Sequence, residues 1–210
     1  MTTKPILMDR RAELKARHRE AILDAADSLI LERGKARFSV DELAERADIA
    51  RRTVFNHFSS LDDVIMTSCT RTLSRAIDDF LAAASVTPSS HGSRVALFTE
   101  VTTAITHMDL PSLVAYFFGL LDGDDARTQN ADSVFMRSTE DLAVELVRRS
   151  GVDEFEVAIL VSTLMNGIAV IARRWMIQTG GTLDAASRSI WNSLLDRFIG
   201  IVRDGYSAPS

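Results

Sequence analysis

The chain has a single cysteine, Cys69, in 210 residues. One thiol excludes an intramolecular disulfide framework and any zinc site built on several cysteines. Prolines number only 4, at Pro5, Pro88, Pro111 and Pro209, so long stretches run without a breaker. Lysine is also scarce, and Lys4, Lys15 and Lys35 all lie near the amino terminus. No run of about 18 uncharged apolar residues is present, so no membrane span is expected. The start, MTTKPILMDRR, lacks the apolar centre of a secretory signal, which makes a cytoplasmic protein the expectation. Signatures of common catalytic sites are missing too. There is no glycine-rich phosphate loop, no Gly-x-Ser-x-Gly elbow and no His-x-x-x-His pair. None of His18, His57, His91 or His107 follows a glutamate by three residues, as a di-iron bundle requires. No catalytic residue, metal site or cofactor is therefore expected, and a helical-bundle enzyme is a distant alternative.

What is present is an ordinary globular composition, 46% hydrophobic and 25% charged, with 10 Phe, 7 Met and 2 Trp to build a core. The net charge of −5 is unevenly placed. Residues 1–60 carry 12 basic and 10 acidic side chains, a balance of +2, and residues 61–210 carry 12 and 19, a balance of −7. A basic front on an acidic chain is a weak pointer to an anionic partner.

The pattern is all-α, with few alternating β-branched runs. Ala21, Ile22, Ala25, Ala26, Leu29 and Ile30 recur at helical spacing, predicting a helix from Glu13 to about Arg33 that Gly34 ends. Ser39 and Glu42 form a capping box, with Phe38 and Leu43 as its hydrophobic staple, which opens a short helix over about 40–46. A break at Ala47-Asp48-Ile49 leads to a second short helix from Ala50 to about Phe58. Two short helices joined by a tight turn make a helix-turn-helix. Further helices are expected over about 62–84, 94–108, 110–121 and 129–149. Residues 153–179 are apolar nearly all round, the mark of a helix covered on both sides. After Gly180-Gly181, Leu183, Ala186, Ile190, Leu194, Phe198 and Ile201 form one stripe on a last helix.

The stretch EAILDAADSLILERGKARFSVDELAERADIARRTVFNHFSSLDDVI, residues 20–65, resembles the DNA-binding region of the TetR family of transcriptional regulators. The Ile-Leu-x-Ala-Ala helix, Gly34, Phe38-Ser39, Leu43-Ala44, Ala47, Ile49, Thr53-Val54-Phe55 and His57-Phe58 carry the likeness. It covers about a quarter of the chain; the remainder is similar in architecture alone. The resemblance implies a three-helix helix-turn-helix domain with a basic amino-terminal arm over residues 1–61. It also implies a helical effector-binding and dimerisation domain over residues 62–210. Four positions depart from the family pattern. Asp48 stands where the turn usually has glycine, Ala50 where the second helix has a polar cap, Phe55 where tyrosine is usual, and Leu61 where a phosphate-binding lysine is usual.

The implied function is a ligand-responsive regulator, a repressor first, that binds a palindromic operator as a homodimer and is released by a hydrophobic or aromatic small molecule. A transcriptional activator and an effector-independent DNA-binding protein remain alternatives. Candidate DNA contacts are Ser39 and Val40 at the start of the first short helix, and Arg51, Arg52, Thr53, Phe55, Asn56 and His57 on the second. An arginine donates to guanine O6 and N7 or to phosphate, and Thr53 meets a thymine methyl or a phosphate. Phe55 and Phe58 serve equally as core anchors, and His57 reads either way. Arg10, Arg11, Lys15 and Arg17 add non-specific backbone contacts. Candidate effector contacts are Phe98, Thr102, Ile105, Tyr116, Phe117, Phe135, Met136, Met165, Asn166 and Arg173, an apolar set with a few polar handles. Candidate dimer contacts are Phe155, Ile159, Trp175, Ile190, Trp191, Leu194 and Phe198, which suit a four-helix bundle across a two-fold axis.

Overall fold

A computed structural model describes residues 5–85, 92–121 and 125–204. Among these residues there are nine helices and no strand: α1 (Pro5–Arg33), α2 (Val40–Arg46), α3 (Arg51–His57), α4 (Leu61–Ala84), α5 (Arg94–His107), α6 (Leu110–Leu121), α7 (Asp125–Ser150), α8 (Glu154–Thr179) and α9 (Ala185–Asp204). The all-α expectation therefore holds. Two helices start earlier than their apolar patterns. α1 begins at Pro5 instead of Glu13, and α7 at Asp125 instead of Gln129. The α7 extension, DART, is a polar turn in which helical periodicity leaves no mark, and the α1 extension, PILMDRRA, has its apolar residues in one short run and not at helical spacing; proline is suited to a first helical turn because its missing N–H has no partner there. The expected loop over 85–93 has residues 86–91 outside the described residues, and that over 122–128 has residues 122–124 outside them.

The chain divides into two compact units. The first is Met1–Thr72 with Tyr116–Ser133; the second is Leu73–Ala115 with Val134–Ser210. The helix-turn-helix thus lies in a unit that extends past residue 61 and takes in the end of α6 and the start of α7.

In the first unit, Ile22, Leu23, Ala26, Leu29 and Ile30 of α1 are buried, as are Leu43, Val54, Phe58, Val64, Ile65 and Cys69, and α1 packs against α2 and α3. Cys69 is fully buried, and burial pushes its thiol up to about 11. α6 closes tightly on the turn after α1: the Ala36 amide donates to the Gly119 carbonyl at 2.8 Å. The same unit holds a polar cluster centred on Asp27, whose carboxylate accepts from Ser68, from the Tyr116 hydroxyl at 2.7 Å and from Arg71 at 2.6 Å. Arg71 also binds Glu20 and Asp24, at 2.8 and 2.9 Å. Arg127 of α7 holds Asp62 of α4 at 2.8 Å.

In the second unit, Leu97, Val101 and Ile105 of α5 meet Leu146, Val157, Val161, Leu164, Trp175, Trp191 and Leu195 in one core. The Trp175 and Trp191 rings meet edge to face at 5.6 Å, and the Trp175 indole donates to the Ser187 carbonyl at 2.8 Å. Glycine at 167 lets α8 and α9 approach, because a Cβ there would overlap the Phe198 ring. α8 is long and apolar enough, by length and composition, to cross a membrane. Here it turns Val157, Val161, Leu164, Ile171 and Trp175 into its own unit and leaves the opposite face open, with Phe155 72% and Ile159 54% exposed. The expectation of cover on both sides is thus met by this chain on one side only.

Candidate nucleic-acid interface

The helix-turn-helix is built by local rules. The Ser39 hydroxyl accepts from the Glu42 amide at 3.2 Å, and the Glu42 carboxylate accepts from the Ser39 amide at 2.7 Å. Each side chain thereby satisfies an amide that the helix leaves orphaned. Arg33 clamps the same carboxylate at 2.6 Å. Arg33 first, then Ser39, hold the Glu42 carboxyl at about 2, well below its ordinary 4.5. Phe38 and Leu43, the staple pair, are both buried. After α2 the chain turns through Asp48 at φ +52, the one non-glycine residue in the left-handed region among those described. Aspartate tolerates this conformation better than most side chains, at a cost of about 1 kcal/mol. α3 then starts from Ala50, which makes no side-chain cap.

α3 is anchored by Val54 and followed by Phe58, both buried, so the opposite face is presented outward. Arg51, Arg52, Phe55 and Asn56 are exposed, and Thr53 and His57 are half-buried. Of the alternative roles open in the sequence, Phe58 is a core anchor, with the Arg19 guanidinium 4.4 Å over its ring. Phe55 is exposed and lies under Arg51 at 5.8 Å. The Nη1 of Arg51 donates to both oxygens of Asp41, at 3.2 and 3.1 Å. Nothing in the order of residues signalled this contact, because ten positions separate the two and only the α2–α3 turn joins them. Arg46, in contrast, is spent on structure: it grips Ser28 and both oxygens of Glu32. His57 stacks edge-on to His18 at 6.0 Å. Burial, then repulsion from its neighbours His18, Lys15 and Arg19, holds its imidazole below the usual range. Ser39 and Val40 sit at the head of α2, where the Ser39 hydroxyl is already engaged by the cap. Arg10, Arg11, Lys15 and Arg17 are exposed along the front of α1.

The other sequence-chosen residues are more scattered. Thr102 and Ile105 are buried on α5, and the Thr102 hydroxyl donates to the Phe98 carbonyl at 2.8 Å. Tyr116 and Phe117 are buried in the first unit, edge to face at 5.5 Å. Phe135 and Met165 are half-buried, while Met136, Asn166 and Arg173 are exposed. The second unit holds an open pocket of about 250 Å³ lined by Arg94, Leu97, Phe98, Val152, Glu156, Ile159, Leu160, Thr163 and Val202. Of the ten effector candidates it gathers Phe98 alone. Of the dimer candidates, Phe155, Ile159 and Ile190 are exposed, and Leu194 and Phe198 are half-buried. Trp175 and Trp191 lie wholly within the core of their own unit. No group of three or more metal-ligating side chains converges among the described residues.

The outward arginines, the buried anchors and the capped turn define a helix-turn-helix of DNA-binding type. Residues 22–65 match the model of the bacterial regulatory proteins of the tetR family, and on this match the chain's amino-terminal domain is a TetR-family DNA-binding domain. The transcriptional regulator TcmR of Streptomyces glaucescens is 26% identical over 189 residues, covering 85% of this chain and 81% of that one. Among solved structures, a Mesorhizobium loti protein assigned to the TetR family of transcriptional regulators aligns over 89% of this chain and 97% of its own, with a TM-score of 0.62 and 16% identity. The regulator FadR of Bacillus subtilis, solved with stearoyl-CoA, aligns over 86% and 97%, with a TM-score of 0.55 and 14% identity. These two structures share the fold. The chain thus carries a TetR-type DNA-binding domain over residues 22–65 and is similar over most of its length to the transcriptional regulator TcmR.

Proposed function

We propose that the protein is a cytoplasmic, ligand-responsive repressor that binds a palindromic operator as a homodimer and leaves it when a hydrophobic small molecule binds. The reading is carried by α3: Arg51, Arg52 and Asn56 stand free of the core on one short helix whose Val54 anchors it. A helix so placed enters a major groove and offers donors to base edges. One such helix reads one half-site, so a two-fold pair of chains reads a palindrome. The open apolar face of α8, with Phe155 and Ile159, supports that pairing, joined by Ile190, Leu194 and Phe198 of α9. Stearoyl-CoA in the B. subtilis relative supports an apolar effector on this fold. Release then follows as a population shift: a ligand that prefers a conformer with misspaced reading helices lowers operator affinity by its differential affinity for that state.

The test is a selection from randomised duplexes with the full chain, followed by anisotropy titrations. An inverted repeat is expected, and Arg51→Ala and Arg52→Ala each weaken binding to it. Sedimentation at micromolar concentration is expected to give twice the chain mass, and Phe155→Glu to give the monomer. Unchanged affinity in both arginine variants removes the reading, and a monomeric wild type removes the palindrome.

A further inference from the structure

Arg51 differs from the other arginines of the reading head in being half spent. Its Nη1 is held by both oxygens of Asp41, while Nε and Nη2 have no partner among the described residues. The Phe55 ring lies beneath the guanidinium at 5.8 Å. Arg33 and Arg46 are bound into the scaffold by Glu42 and Glu32, and Arg52 has no described partner. The Asp41–Arg51 pair has little to do for the fold. Its side chains are 69% and 59% exposed, and an ion pair in such a setting contributes at most about 1 kcal/mol. A carboxylate beside a DNA-reading helix also repels phosphates, so it lowers affinity for every sequence alike. Its position is explained by geometry. Two donors on one edge of a guanidinium match the O6 and N7 acceptors of guanine, and a planar fork held on its other side is aimed before it meets the base.

We propose that Asp41 is a specificity-determining positioning residue: by holding Nη1 of Arg51 over Phe55, it presents the Nε–Nη2 edge to one guanine in each half-site. This rests on the reading of α3 as the recognition helix. Asp41 touches no base in this arrangement and acts through Arg51.

The experiment selects binding sites from a randomised duplex with the full-length wild type, Asp41→Asn, Arg51→Ala and Arg51→Lys. Competition anisotropy then compares the wild-type site with sites in which each guanine is replaced. One guanine position is expected to lose its preference in Arg51→Ala and Arg51→Lys. At that position Asp41→Asn is expected to discriminate at least about fivefold less than wild type, the low end of what one bidentate contact supplies. Binding of Asp41→Asn to random-sequence DNA is expected to rise, with its melting temperature unchanged; a merely structural role predicts the reverse pattern. The proposal is overturned if Asp41→Asn keeps full discrimination at the position that Arg51→Ala loses, or if no guanine depends on Arg51. If the wild type enriches no site at all, the recognition-helix reading falls, and this inference with it.

Discussion

Replacing Gly119 by alanine tests how α6 is seated on the reading head. A Cβ at this position would lie 2.8 Å from the Gly34 carbonyl oxygen, 2.9 Å from its carbon and 3.2 Å from the Lys35 nitrogen. All three are backbone atoms, so no side chain can swing aside. Gly34 is itself fixed at φ +61, a conformation that ends α1 and leaves the turn little room to shift. Relief therefore moves α6 outward and stretches the 2.8 Å bond from the Ala36 amide to the Gly119 carbonyl. Overpacking of this kind costs about 1–3 kcal/mol, and a weakened backbone hydrogen bond adds up to about 1 kcal/mol. Alanine returns roughly 1 kcal/mol through its better helix propensity. The net expectation is a loss of about 2 kcal/mol, which for a chain of this size lowers the melting temperature by roughly 4–8 °C. Helical circular dichroism followed through thermal and urea unfolding reads it directly. A Gly119→Ala protein that melts at or above the wild-type temperature would show that helix propensity outweighs contact, and the close seat of α6 on the α1–α2 turn would be refuted.

Tyr116→Phe removes one of the bonds to Asp27 and is expected to cost roughly 1.5 kcal/mol, since the acceptor is charged. Burial, then the Asp27 charge, raise the Tyr116 phenol far above its usual 10, so the folded state favours the neutral form. That contribution is complete below pH 10 and is lost as pH rises toward the folded value. Wild-type stability should accordingly fall in alkali more steeply than that of Tyr116→Phe, and parallel alkaline unfolding curves would contradict the assignment. Glu42→Ala opens the capping box and frees Arg33. Because the Glu42 carboxyl is held at about 2 against 4.5, its contribution is present above pH 4.5 and vanishes as pH falls through about 2. The gap in melting temperature between wild type and variant should close across that window; a gap that stays constant in acid argues against the clamp.

The reading head was legible because its signals are local. The Ser39–Glu42 box, the Phe38–Leu43 staple, the strained turn at Asp48 and the alternation of Val54 and Phe58 with Arg51, Arg52 and Asn56 all lie within a few residues of one another. Backbone capping and helical periodicity act over that range, so the order of residues specifies them. The effector candidates rest on residue type alone, and type does not say which neighbour a side chain meets. Tyr116, a polar handle by residue type, is the donor to Asp27, 89 positions away. Phe98 lines a pocket, whereas Met136 and Arg173 face solvent. Trp175 and Trp191 carry the same apolar signal as Phe155 and Ile159, yet two are buried and two are exposed.

The amino-acid sequence alone determined that the chain is helical, where most of its helices end and which short helix turns its arginines outward. Tertiary structure decided that Asp41 grips Arg51, that α6 and α7 reach back to the reading head, and which side of α8 is left open. The physical reason is range. Caps and stripes are settled by neighbours in the chain, whereas the partner of a charge or an apolar side chain is settled by which helices pack together.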